Sequence, residues 1–92
     1  MLRRRAKRRY LSIMHSGQAV DVVNSIVKRH ADLFGSVATE RAGIRLMRSN
    51  DTMTIIKCRL EQLDSVLATI ALTDPPILTL GTSGSIKQLT KI

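Results

Sequence analysis

Residues Gly43–Arg59, GIRLMRSNDTMTIIKCR, hold two apolar runs on either side of Ser49-Asn50-Asp51-Thr52. Ser, Asn and Asp bond nearby backbone through short side chains and favour turns, so the segment predicts a β-hairpin with strands Gly43–Arg48 and Met53–Arg59. Side chains alternate across a strand, so the loop length decides which residues share a face. A three-residue loop, Asn50–Thr52, sets Leu46 against Ile56, Ile44 against Cys58 and Arg45 against Lys57. Ile44, Leu46, Ile56 and Cys58 then gather on one side. Arg45, Met47, Ile55, Lys57 and Arg59 gather on the other. A two-residue loop would mix these sets; the three-residue register keeps charge apart from core and is the expectation.

The flanking chain supplies what such a hairpin must pack against. Tyr10–Met14 (YLSIM) is strand-like, and His15-Ser16-Gly17 breaks it. Across Val20–Phe34 the residues Val20, Val23, Ile26, Val27, His30 and Phe34 recur at helical spacing, opposite Asp21, Ser25, Lys28 and Asp32. Its β-branched residues are weak helix formers, so this helix must lie on a sheet. Gly35-Ser36 ends it, and Val37–Ala42 reads as an irregular lead into the hairpin. A second helix, Leu60–Leu72, carries Leu60, Leu63, Val66, Leu67 and Ile70 on one stripe, with Glu61 and Asp64 near its N-terminus. Thr73-Asp74-Pro75-Pro76 stops it. Ile77–Thr82 is a fourth strand, and Ser85 is placed to cap a short last helix carrying Ile86 and Leu89. The order β-α-β-β-α-β predicts an α+β fold: a ferredoxin-like split βαβ sandwich with a four-stranded antiparallel sheet, two helices on one face and a short C-terminal helix. Residues 10–92 form the single domain and residues 1–9 a basic N-terminal arm. A chain of 92 residues supports one core. With Tyr10 and Phe34 as the only aromatics, aliphatic residues must fill that core.

Charge is unevenly placed. The net charge is +8, and Arg3, Arg4, Arg5, Lys7, Arg8 and Arg9 supply six of fifteen cations. Beyond residue 9, nine cations face seven carboxylates, and Arg41, Arg45, Arg48, Lys57 and Arg59 lie in or beside the hairpin. A clustered footprint of this kind points to a polyanionic partner. The arm alone fits phosphate binding, a targeting peptide, a membrane-surface segment or a solubilising tail; the acid-poor setting favours nucleic acid. Met47 and Ile55, apolar among cations, read instead as a protein interface. Gly81-Thr82-Ser83-Gly84-Ser85 before Lys87 reads as an ordinary turn and cap, or as backbone amides offered to a phosphate. His15, His30 and Cys58 lack metal-ligand spacing, and the scattered carboxylates form no acid pair, so no catalytic or metal site is predicted. The single cysteine makes no internal disulfide and fits a reducing, cytoplasmic setting. No apolar run approaches the length of a membrane span.

Four segments also resemble a known family. Lys7–Leu11 (KRRYL), the helix exit His30–Gly35 (HADLFG), Ile56–Arg59 (IKCR) and Leu80–Lys87 (LGTSGSIK) are together similar to protein component 2 of archaeal ribonuclease P. That family is related to the small Pop-type subunit of the eukaryotic enzyme. The resemblance runs in order along nearly the whole chain, although the connections beside the first and last strands are short where family members carry insertions. It implies a non-catalytic subunit of a ribonucleoprotein endoribonuclease that removes 5′ leaders from precursor tRNA. It further implies that the RNA holds the active site and its magnesium, that this chain binds no cofactor, and that its partners are the ribonuclease P RNA and the barrel-type protein component 3. Two such pairs can associate as a heterotetramer. On this reading Arg3, Arg4, Arg5, Lys7, Arg8, Arg9, Arg45, Lys57, Arg59, Ser83, Ser85 and Lys87 contact RNA. The alternative is a ferredoxin-like ligand-sensing or protein-interaction domain whose basic tail is incidental.

Overall fold

A computed structural model describes residues 7–90. The elements run β1 (Arg8–Met14), α1 (Ala19–Phe34), α2 (Ser36–Ala42), β2 (Arg45–Ser49), β3 (Met53–Arg59), a 3-10 turn (Leu60–Gln62), α3 (Leu63–Ala71), β4 (Leu78–Ser83) and α4 (Ile86–Thr90). The four strands form one antiparallel sheet in the order β2-β3-β1-β4, which puts β1 and β3 at its centre. The result is the α+β, ferredoxin-like arrangement that the element order predicts.

Alternation along the central strands divides the sheet into two faces. Leu11 and Ile13 of β1, with Ile56 and Cys58 of β3, join Val22, Val23 and Ile26 of α1, Ala42 of α2, and Val66 and Ile70 of α3 in one core. Leu11, Ile13, Ile26, Ile56 and Ile70 are sealed from solvent, and each contributes about 1.5–3 kcal/mol by leaving water. Cys58 belongs to this layer, and burial pushes its thiol up to about 11. The buried stripe of α1 is turned slightly from the expected one. Val22 is inside, whereas Val20 and Phe34, at the two ends of the helix, are exposed.

Two expectations fail for local reasons. Residues 36–42 are helical rather than an irregular start to a strand. Gly35, at φ 95°, breaks α1 while its amide still closes on the Ala31 carbonyl at 2.9 Å. Its own carbonyl then accepts the Thr39 amide (3.1 Å) and the Thr39 hydroxyl (2.9 Å), which starts α2. Gly43 ends α2 in the left-handed region, φ 59°. The hairpin also departs from a straight register. Arg45 pairs with Lys57 and Leu46 with Ile56, as expected; a bulge at Met47 then sets Arg48 opposite Ile55 and Ser49 opposite Thr54. The Asn50 side chain accepts the amides of Thr52 (3.1 Å) and Met53 (2.8 Å), and the Asn50 amide reaches the Met53 carbonyl (2.8 Å). That tight turn draws the strands one residue out of phase, and the bulge absorbs the difference.

The second face of the sheet is only partly open. A side chain built on Gly81 of β4 would meet Leu89 of α4 at 3.6 Å, so α4 lies across this side against β1 and β4. Ser12 and Ile55 sit on the same side and are nearly inaccessible, at 1% and 3% exposure.

Candidate nucleic-acid interface

The pairings that build the sheet also line up its cations. Arg45 of β2 pairs with Lys57 of β3, Lys57 with Tyr10 of β1, and Tyr10 with Ser83 of β4. Directly paired residues point to the same side, so these four side chains cross all four strands in one row. They lie on the side away from the core, because their neighbours Leu11 and Ile56 face α1. Arg8 pairs with Arg59 in the next row of that face. The Met47 bulge adds Arg48 opposite Ile55, beyond Arg45. The helix-covered side, where a straight register places Arg48, thus loses a charge to the row.

Like charges set directly opposite each other are unfavourable. Arg8 faces Arg59, Lys57 faces Arg45, and among the described residues none of the four is paired with a carboxylate. An anion bridging these rows would relieve the repulsion, and a polyanion would relieve all of it at once. At the Arg59 end a recess of about 260 Å3 is lined by Lys7, Arg59, Leu60 and Glu61. Its edge is fixed by the Lys7 carbonyl, which accepts the Leu60 amide at 2.9 Å.

The remaining residues read from sequence fall in different places. Arg3, Arg4 and Arg5 lie outside the described residues. Arg8 and Arg9, assigned to the arm by the charge run, open β1 and therefore project to opposite faces. Arg9 turns from the row: its guanidinium donates to the Arg8 carbonyl at 3.1 Å and lies 3.2 Å from the position of a side chain on Gly84. In the Ser83–Ser85 turn one amide is already engaged. Ser83 Oγ accepts the Ser85 amide (3.2 Å) and donates to Gln88 Oε1 (3.1 Å), so the Ser85 amide is not offered to a phosphate. The hydroxyl used here is that of Ser83, whereas the sequence predicts a cap from Ser85. Lys87 lies exposed on the five-residue α4. Of the two apolar residues read as a protein interface, Ile55 is buried within the chain, and Met47 projects at the bulge with 37% exposure.

The histidines serve structure. His15 Nε2 lies 2.5 Å from Thr54 Oγ1. His30 is fully buried between α1, α2 and α3, with Nδ1 2.6 Å from Thr39 Oγ1 and Nε2 2.8 Å from Ser65 Oγ. Its ring also meets Phe34, centroids 4.9 Å apart. Desolvation lowers its pKa from the ordinary 6.5. Among the described residues no group of three or more His, Cys, Asp or Glu side chains converges.

Tyr10 is the member of the row that charge counting overlooks. Considering the hairpin alone leaves the exposed face without an aromatic, yet β1 inserts beside β3 and brings Tyr10 next to Lys57. The available signal was the alternation of Tyr10 with Leu11 and Ile13.

Comparison with known proteins adds information on the fold. No family model matches the chain, and no match is found among curated proteins. The structure is similar to a chain in the cryo-EM structure of yeast ribonuclease MRP, with a TM-score of 0.70 at 12% sequence identity. The match covers 91% of this chain and 79% of that one. At this identity the likeness shows a shared fold.

Proposed function

We propose that the chain is a non-catalytic protein subunit of a ribonucleoprotein endoribonuclease of the ribonuclease P and MRP type. The observation that carries this reading is the row of uncompensated cations across the exposed sheet face. The fold likeness to a chain in the cryo-EM structure of yeast ribonuclease MRP supports the same reading. Arg8, Arg45, Arg48, Lys57 and Arg59 neutralise phosphates, with Arg3, Arg4, Arg5 and Lys7 extending the footprint. The sheet holds these charges at fixed spacing, so binding costs little ordering of the scaffold. Magnesium belongs to the RNA component, and 5′-leader removal from precursor tRNA is the reaction supported. Met47 and the exposed rim of β2 meet the barrel-type partner in the cytoplasm.

The test is reconstitution. Cleavage of precursor tRNA by the cognate ribonuclease P RNA is measured against magnesium concentration, with and without this chain and the barrel-type partner. The chain should lower the magnesium needed for cleavage and show no cleavage without the RNA. Equal magnesium dependence with and without the chain, or cleavage by the chain alone, would contradict the proposal.

A further inference from the structure

The row Arg45–Lys57–Tyr10–Ser83 differs from a plain charged surface in having an aromatic ring at its centre. Tyr10 is half-buried in β1, a central strand, so its backbone is held on both sides by ladder bonds to β3 and β4. Its hydroxyl makes no hydrogen bond among the described residues, and no other ring stacks on it there. Lys57 lies one strand away, about 4.8 Å across the sheet, and Arg45 one strand further. Further along β1 from Tyr10, Ser12 is 1% exposed and pairs with Gly81, the position beside Leu89 of α4.

We propose that Tyr10 is a base-stacking site for one unpaired nucleotide, with Lys57 and Arg45 holding the phosphates that flank it. The proposal rests on the RNA-binding reading of this face and narrows its ligand to a single-stranded segment, bulge or loop. A base within a duplex is stacked on both faces and cannot lie on the ring, whereas an unpaired base can. The geometry selects nucleotides by exposure of the base and carries no hydrogen-bond readout, so little sequence preference is expected.

The chain contains one tyrosine and no tryptophan, so its intrinsic emission reports on Tyr10 alone. The experiment titrates the full chain with decauridylate and, separately, with a ten-base-pair RNA duplex, following tyrosine emission and fluorescence anisotropy of labelled RNA. Decauridylate should quench Tyr10, and the duplex should bind without quenching it. Tyr10→Leu should weaken decauridylate binding by roughly 5- to 150-fold while leaving duplex binding within about 2-fold, and Tyr10→Phe should retain the single-strand affinity. Decauridylate binding without quenching, or an unchanged affinity in Tyr10→Leu, would overturn the stacking site and leave the RNA reading standing. Failure to bind either RNA would overturn both. The quenching arm uses the unaltered chain, so the outcome does not depend on the variants folding.

Discussion

His30 shows how one side chain can secure three helices. Thr39 Oγ1 lies 2.9 Å from the Gly35 carbonyl, and its proton goes there, so it accepts from His30 Nδ1–H. Ser65 Oγ lies 2.8 Å from Nε2 and equally close, at 2.8 Å, to the Gln62 carbonyl, so its single proton serves one of these acceptors at a time. Removing the ring leaves both hydroxyls facing a cavity. His30→Ala is therefore expected to cost about 2–4 kcal/mol, read as a lowered urea midpoint at unchanged slope. Burial depresses the folded-state pKa below 6.5, so the unfolded chain binds a proton that the folded chain refuses. The stabilisation is complete above pH 6.5 and is lost as pH falls from there through the folded-state value. Urea midpoints measured between pH 7.5 and 5 should decline in the native chain, and His30→Gln should flatten that part of the decline.

At the scale of elements, the parts legible in the sequence are those with a strong period. The stripe over residues 20–34 and the alternation over 53–59 specify α1 and β3, and the three strand-like runs around them specify the topology. α2 escaped because Ser36–Ala42 buries only Ala42, which leaves no apolar period to read. Its signal lay elsewhere, in helix formers followed by a glycine at the C-terminal stop. The bulge escaped because it arises from competition between the Asn50 turn and the core register, two local preferences that differ by one residue. It matters to the candidate site, since it moves Arg48 to the cation face. The residues around Ile86 and Leu89 predict α4, but its position beside Gly81 depends on long-range packing of Leu89. Gly43 links these elements: its left-handed backbone lets α2 stop and β2 begin at once. Gly43→Ala is expected to cost about 1–2 kcal/mol through backbone strain alone, since nothing crowds a methyl group there, and calorimetry should show a lowered Tm with the fold retained.

The whole molecule combines an apolar core with a cationic face. Arg8, Arg45, Lys57 and Arg59 sit on four positions fixed by strand pairing, so their mutual repulsion is built into the folded state. Such an arrangement costs stability in the free chain, a cost that a bound polyanion would offset. Composition alone showed the excess of cations. It could not show that strands far apart in sequence bring Arg8 beside Arg59 and Tyr10 beside Lys57, because those neighbours are created by the sheet order.

The most direct measurement is the dependence of RNA affinity on potassium chloride concentration, comparing the native chain with Arg45→Ala/Lys57→Ala. Each phosphate contact contributes about 0.7–0.9 to the log–log slope, so the native chain should show a slope of about −3 or steeper. The double variant should be shallower by about 1.5, with its thermal transition no lower than that of the native chain. A slope that is the same in both proteins would mean that these cations meet no phosphate, and the account of the sheet face would be wrong.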